Sequence, residues 1–186
     1  MRLSLGMARF LALLRAVNVG GRKVPMADLR ALASEIGLSN PTTFIASGNL
    51  LFDAEASEGV LEAKIESALQ ARFGFAVPTI VRSASEWRGY AAANPFPECS
   101  AQSPNLVLMG LSKAPLNDGA ADTLQERATL GERVAAAGGA LWFHYAAGVG
   151  DSKLTPNLID RAAGSPVTGR NWRSVLELGE LLESVP

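Results

Sequence analysis

Cysteine and histidine are nearly absent from this chain of 186 residues, which contains one of each, Cys99 and His144. A single cysteine excludes an intrachain disulfide and fits the reducing cytoplasm, where we expect the protein to be located. The two residues together cannot supply the ligands of a Cys/His zinc site. The sequence therefore predicts no bound metal and no cofactor.

Long apolar runs and a large net charge are also missing. No segment reaches the length of a transmembrane helix, so we expect no membrane partner. The net charge of −1 gives no overall field that would attract nucleic acid, so any anion site must be local. Residues 1–6 are too short and too polar for a signal peptide, and Met7 is an alternative natural start.

The chain does contain enough apolar sequence for a substantial core, with a hydrophobic fraction of 48%. One large domain and two small domains are both compatible with its length. The segment Asn94-Pro95-Phe96-Pro97 and the polar residues up to position 104 are typical of a linker. We therefore predict two domains, residues 1–97 and residues 98–186.

The first half shows alternating strand and helix signals. An apolar run at residues 10–17 predicts a strand, and the helical spacing after Pro25 predicts a helix. Residues 42–52 predict a hairpin, because Gly-Asn lies between two β-rich runs. A helix after Ser57 and a strand at residues 77–82 complete the order β-α-β-β-α-β. This order is that of the split βαβ or ferredoxin-like plait.

The second half repeats this pattern less clearly. It begins with a predicted strand at residues 105–111, followed by a helix that extends to Ala137 and ends at Gly138-Gly139. A strand at 140–146, a helix after Thr155, a short strand and a last helix follow. The order β-α-β-α-β-α lacks one plait strand, which we expect near residues 152–154. The predicted fold is α+β, with two ferredoxin-like halves packed together.

A glycine-rich loop follows the first strand. Arg15 ends the apolar run, residues 18–23 (NVGGRK) form a bend, and Pro25 opens a helix. A strand, a tight loop and a helix N-terminus in succession present N–H groups and a positive dipole end to an anion. A tight connection that needs two glycines for its backbone explains the same residues. Both interpretations stay open.

The other polar motifs are weaker. Residues 47–49 (SGN) are more typical of a hairpin turn than of a site. The segment GVGDSKL lacks the spacing of a phosphate-binding P-loop. Ser152 and Lys153 are a doubtful nucleophile and base, since neighbours in an extended segment point to opposite faces. His144 has no evident orienting partner, which favours a structural role.

Five motifs now stand in order along the chain. They are LLRAVNVGG (13–21), VPMADLRAL (24–32), TTFIASGNLLF (42–52), GDSKLT (150–155) and GRNW (169–172). Together they resemble the bacterial domain of unknown function 1697 family, over nearly the whole chain from Met7 onward. The resemblance implies an α+β fold of two plait-like halves and no established activity. Ala16 stands where the family more often has glycine, and Phe44 where it more often has tyrosine, so any role of that hydroxyl would be lost here.

These residues support one leading hypothesis and two alternatives. The first is binding of a small anionic or phosphorylated ligand, such as a nucleotide, in a cleft between the halves. The expected contacts are Arg15, Asn18, Gly20, Gly21, Lys23, Ser47, Asn49, Ser152, Lys153, Arg170 and Asn171. The alternatives are an enzyme that uses Lys153 or Ser152 on its substrate, and a module that binds nucleic acid or protein. The sequence indicates no oligomeric state.

Overall fold

The computed structural model describes residues 6–184 of the chain. Residues 1–5 lie outside the described part, and with them most of the segment that is too short and too polar for a signal peptide. The contacts divide the chain into two units. Unit 1 comprises the chain up to Trp87 and again from Glu180 onward, and unit 2 comprises Arg88–Gly179. The division at residue 97 stays a prediction. No helix in the described residues has the length and apolar character needed to cross a membrane.

Unit 1 contains a four-stranded antiparallel sheet with the strand order β2-β3-β1-β4. Its elements are β1 (Ala8–Leu14), α1 (Met26–Glu35), β2 (Ser39–Phe44), β3 (Asn49–Ala54), α2 (Glu58–Phe73) and β4 (Thr79–Ser83). The predicted order β-α-β-β-α-β is confirmed. The predicted hairpin is confirmed too, with Thr43 opposite Leu50 and Phe44 opposite Asn49.

The core of unit 1 lies on one face of this sheet. Alternate residues of β1 point into it, namely Phe10, Ala12 and Leu14, because successive strand residues face opposite sides. They meet the apolar stripes of the two helices, which include Leu29 and Leu32 of α1 and Leu61, Ile65 and Leu69 of α2. Gly74 ends α2 in the left-handed conformation, as its position after the stripe predicts.

Three glutamates of α2 bind the edge strand β4 through its main chain, and we call them the glutamate row. The N–H groups of Thr79, Val81 and Ser83 donate to Glu66, Glu62 and Glu58 at 2.8, 3.0 and 3.0 Å. Four helical residues rise about 6.0 Å, and two strand residues rise about 6.6 Å, so the two spacings match. The glutamate row therefore supplies hydrogen-bond acceptors for the N–H groups of β4 that point away from β1.

Ser83 also begins the helix α3 (Ala84–Ala92) with a capping box, in which Glu86 accepts from the Ser83 N–H at 2.9 Å. Burial, together with the adjacent Glu86 carboxyl, raises the pKa of Glu58 to about 7. Burial alone would raise the pKa of Glu86, but hydrogen bonds from Glu58 and Ser83 lower it. Glu58 therefore holds a proton at a pH where an ordinary glutamate is ionised.

This pair predicts a dependence of stability on pH. The folded state keeps Glu58 protonated up to about pH 7, while the unfolded chain ionises it near 4.5, so the folded state binds more protons between these values. Its contribution to stability is therefore complete below that window and is lost as the pH rises through it. We expect Glu58→Gln, which imitates the protonated acid, to flatten the fall in melting temperature between about pH 5 and 8. If the melting temperature of Glu58→Gln falls with pH as steeply as that of the control Glu55→Gln, the result would contradict a protonated Glu58 in the folded state.

Unit 2 contains the second four-stranded antiparallel sheet, with the order β6-β7-β5-β8. Its elements are α4 (Pro97–Gln102), β5 (Val107–Ser112), α5 (Ala120–Gln125), β6 (Arg133–Ala137), β7 (Ala140–His144), α6 (Pro156–Ala163), β8 (Val167–Asn171) and α7 (Trp172–Glu183), of which α7 continues into unit 1. The predicted α+β fold class is confirmed.

Two predictions for this half were wrong. The helix expected to reach Ala137 ends at Gln125, and the missing strand is β6 rather than a segment near residues 152–154. Gly138 and Gly139 have φ angles of 62° and 84°, so they form a hairpin turn between β6 and β7 instead of a helix end. The expected linker contains the helix α4, for which Pro97 supplies a favourable first residue.

Candidate functional site

The glycine-rich loop after β1 is closed by one side chain. The Asn18 amide donates to the carbonyls of Val24 and Ala46 at 3.1 and 2.6 Å, and its oxygen accepts from the Val24 N–H at 2.9 Å. Asn18 has a φ of 58°, which asparagine tolerates better than most residues. Both amide hydrogens of this predicted ligand contact are thus bonded within unit 1.

The turn between β2 and β3 packs against this loop. Gly48 has a φ of 81°, and a Cβ at this position would lie 2.6 Å from Cγ2 of Val17 and 2.8 Å from Cβ of Leu14. Asn49 is fully buried, and its amide donates to Phe44 O at 2.9 Å and to Ser47 Oγ at 3.0 Å. The structure therefore brings Asn18, Ser47 and Asn49 together, in contacts that build the turn.

The exposed part of the loop is basic and rich in left-handed residues. Gly20 and Gly21 have φ angles of 56° and 82° and are exposed, as is Lys23. The Arg22 guanidinium lies 4.9 Å from the centre of the Phe75 ring and donates to Ala76 O, which fixes the loop to the segment between α2 and β4. Arg15 is half-buried, and its N–H donates to Pro78 O at 2.9 Å.

The predicted contacts in unit 2 have different surroundings. Arg170 is buried, donates to Thr168 Oγ1 at 2.9 Å and Gly169 O at 2.8 Å, and has its pKa lowered to about 10 by burial. Asn171 accepts from the Ser174 N–H at 2.9 Å and so caps α7, whereas Lys153 is exposed. That these residues share one ligand with the loop of unit 1 stays a prediction.

Ser152 has a partner that the sequence did not indicate. Its hydroxyl donates to Glu132 at 2.6 Å, and the Leu130 N–H donates to the other carboxylate oxygen at 2.8 Å. The hydrogen bonds from Ser152 and Leu130 lower the pKa of Glu132. Burial, and to a smaller extent the negative charge of Glu132, raises the pKa of Tyr145 to about 12. No sequence signal joined these residues, because Glu132 lay within the wrongly predicted helix.

A cavity of about 190 Å³ lies beside this cluster, between the sheet of unit 2 and α6. Its lining is mostly apolar and consists of Leu108, Gly110, Phe143, Tyr145, Val149, Leu154, Pro156, Ile159, Val167 and Gly169. Small-molecule sites are commonly apolar pockets with few polar groups, and this one is smaller than their usual volume of roughly 300–1,000 Å³. Sequence analysis missed it, because its walls come from strands distant in the chain.

The single cysteine and the single histidine lie around one phenylalanine. The Arg133 guanidinium is 4.8 Å from the centre of the Phe96 ring and donates to Cys99 Sγ at 3.8 Å. The Phe96 and His144 rings lie 6.3 Å apart, and the buried Nδ1 of His144 has no hydrogen-bond partner among the described residues. Within residues 6–184, no group of His, Cys, Asp and Glu side chains is arranged to hold a metal ion.

These observations define the chain as an α+β protein of two four-stranded antiparallel sheets with helices. Its structure is similar to that of the conserved bacterial protein SP0830 from Streptococcus pneumoniae, with a TM-score of 0.70 and 21% sequence identity over 95% of this chain and 99% of that chain. At this identity the similarity concerns the fold alone.

The family assignment comes from the sequence. The model of the family described as "Protein of unknown function (DUF1697)" matches residues 7–142, and the chain belongs to this family. The resemblance that the motifs indicated is therefore confirmed, although GDSKLT and GRNW lie beyond the matched residues. The search of curated proteins found no match.

Proposed function

We propose that unit 1 binds a small oxyanion, either phosphate or the phosphate group of a larger molecule, at residues 18–23. The observation that carries this proposal is the exposed pair Gly20 and Gly21, both with positive φ, beside the exposed Lys23. Successive N–H groups of a turn form anion-binding concavities in many proteins. The hydrogen bonds of Asn18 keep this loop in shape.

The main-chain hydrogen bonds support the availability of these N–H groups. Within the loop, the N–H donors are those of Asn18, Arg22 and Lys23, which bond to Arg22 O, Val19 O and Gly21 O at 2.7, 3.1 and 3.1 Å. Among the described residues, the N–H groups of Gly20 and Gly21 have no such acceptor. An anion bound to both would give acceptors to two exposed donors.

The strand order supports the finer description of the fold. In unit 1, β3 separates β1 from β2, and in unit 2, β7 separates β5 from β6 in the same way. This permutation is the one expected of a ferredoxin-like plait, so we propose that each unit is such a plait. We also keep the proposal of a cytoplasmic protein, which the single cysteine supports.

We favour binding over catalysis by Ser152 and Lys153. The Ser152 hydroxyl donates to the Glu132 carboxylate, whereas the exposed Lys153 would have to be the base in the alternative enzyme. A nucleophile activated by a base needs a hydrogen bond to that base. The geometry therefore supports a structural role for Ser152 in holding residues 152–154 to the start of β6.

The proposal predicts a thermal shift with phosphate. A ligand that binds only the folded state stabilises it by mass action, so 10 mM phosphate with a Kd of about 1 mM should raise the melting temperature by roughly 3–5 °C. We expect Lys23→Ala to weaken binding about ten- to hundredfold, because a hydrogen bond to a charged group contributes about 1.5–3 kcal/mol.

The matched control is Lys64→Ala, which removes the same charge from the exposed face of α2. It should bind phosphate as the parent protein does. Sodium chloride of equal ionic strength separates specific binding from screening. If phosphate and sulfate shift the melting temperature no more than chloride does, or if both lysine variants behave alike, the loop is only a tight connection.

A further inference from the structure

We propose that unit 2 has a second binding site, independent of the phosphate loop, in which the cavity beneath residues 146–155 takes a small uncharged molecule with a single aromatic ring. Three features of the cavity support this guest: its place beside two facing glycines, the shape of its walls and the charge around it.

The cavity lies beside two facing strand positions that lack side chains. Gly110 of β5 lies directly opposite Gly169 of β8, and both point to the side on which α6 packs. Residues directly opposite in an antiparallel pair share one face of the sheet. On the other side of Gly110, Leu141 of β7 is its partner.

Unit 1 provides an internal comparison for these positions. There Ala12 lies opposite both Val81 and Leu50, as Gly110 lies opposite Gly169 and Leu141. The flanking pair in unit 1 is Phe10 with Phe52, and in unit 2 it is Leu108 with Phe143. Ala12 and Val81 are fully buried and fill the core of unit 1. Unit 2 has glycine at both corresponding places. A Cβ on Gly110 would lie 3.1 Å from Val167 Cγ1 and 3.2 Å from Phe143 Cε2, so that space is filled by neighbouring side chains, whereas a Cβ on Gly169 would meet nothing closer than 3.7 Å. The open space is therefore the one beside Gly169.

The size and walls of the cavity favour a flat ring. A cavity of roughly 150 Å³ lined by aliphatic and aromatic side chains is sufficient for benzene. The volume here is about 190 Å³, which leaves room for a substituent. One wall is formed by Phe143 and Tyr145, whose rings are stacked 5.7 Å apart with an interplanar angle of 14°. Offset stacking on such a wall favours an aromatic guest over an aliphatic one.

The charge around the cavity favours an uncharged guest. Its lining contains no ionised side chain, and the carboxylate of Glu132 acts on Tyr145 at the edge. A negative guest would be repelled by Glu132 and would also lose its hydration. Both oxygens of Glu132 already accept hydrogen bonds, so they are committed to the protein. The Tyr145 hydroxyl, protonated at neutral pH, is the polar group available to a hydroxyl or carbonyl on the ring.

The test uses benzene, phenol and benzoate as probes, with binding measured by ligand-observed NMR and by thermal shift. We expect benzene and phenol to bind in the millimolar range or tighter, phenol the better of the two, and benzoate at least tenfold more weakly than phenol. Tyr145→Phe should reduce the affinity for phenol to that for benzene and leave benzene unchanged.

The decisive variant is Gly169→Val, which introduces at this position the residue type of its counterpart in unit 1, Val81. The φ of Gly169 lies outside the left-handed region, and its added Cβ would approach only Leu108 Cδ2, at 3.7 Å, and Met109 O, at 3.9 Å. Valine is also favoured over glycine in a strand. We expect a melting temperature equal to or above that of the parent protein, together with a loss of phenol binding of at least tenfold.

The control is Gly59→Ala in α2 of unit 1, where the added Cβ meets nothing within 4 Å. It should raise the melting temperature through helix propensity and leave phenol binding intact. The phosphate shift should persist in Gly169→Val, since that site belongs to unit 1. Absence of benzene and phenol binding at 10 mM, benzoate binding as tight as phenol, or undiminished phenol binding by Gly169→Val would each overturn the proposal. If Gly169→Val does not fold, the Tyr145→Phe comparison decides.

Discussion

Replacing Gly48 by alanine is expected to lower the free energy of unfolding by about 2–5 kcal/mol. The left-handed φ of 81° costs an alanine about 1–2 kcal/mol, and forcing a methyl group into a filled site costs about 1–3 kcal/mol more. The new Cβ would lie 2.6 Å from Cγ2 of Val17 and 2.8 Å from Cβ of Leu14, both buried. Urea denaturation of both proteins, with matched m-values, measures the difference.

Gly74→Ala is the matched control for this prediction. Gly74 has nearly the same φ, 79°, but a Cβ there meets nothing within 4 Å. It should show only the cost of the backbone conformation, about 1–2 kcal/mol. The difference between the two variants measures how tightly the β2–β3 turn packs on the loop after β1. Equal costs would show that the turn does not rest on Val17 and Leu14.

Replacing Asn18 by alanine should cost about 2–4 kcal/mol of stability. The change removes two donors and one acceptor, and it leaves the main-chain N–H of the fully buried Val24 without its partner. An unsatisfied buried N–H costs about 1–3 kcal/mol, and the left-handed φ of 58° adds strain in alanine.

Asn18→Gly separates these two contributions, because glycine adopts the left-handed conformation without strain. It should cost less than Asn18→Ala by about 1 kcal/mol and still weaken phosphate binding, since the loop loses its closure. Should both variants keep the stability of the parent protein, the amide of Asn18 would not hold the loop, and its role as a direct ligand contact would become the better explanation.

Local signals made unit 1 predictable from sequence. Pro25 before an apolar stripe, Gly74 after one and Gly-Asn between two β-rich runs each determine a structure within a few residues. The same kind of signal was present in Gly138-Gly139, but the alanines before it favoured a helix. The hairpin pairing with β7, which opposes Ala137 to Ala140, outweighed that preference.

The candidate sites could be predicted only in part. The proposed phosphate loop lies in one continuous segment, so the sequence alone indicates its glycines and Lys23, and their binding of an anion stays a proposal. The structural roles of Asn18 and Asn49 depend on contacts with a neighbouring turn and were not visible. The cavity depends on the register between β5 and β8, which opposes Gly110 to Gly169, and such pairing between distant segments leaves no pattern in the sequence.

The glutamate row also bears on aggregation. An exposed edge strand is a template on which another chain can add a strand, and from there polymers grow. The outward N–H groups of β4 at Thr79, Val81 and Ser83 already have glutamate oxygens as acceptors, so they are not available to a foreign strand. The opposite edge, β2, contains Pro41, which has no N–H, and its register shifts between Ser39 and Thr42. Both borders of this sheet are thus poor starting points for intermolecular β-structure, and unit 1 should resist amyloid-like assembly for as long as it stays folded.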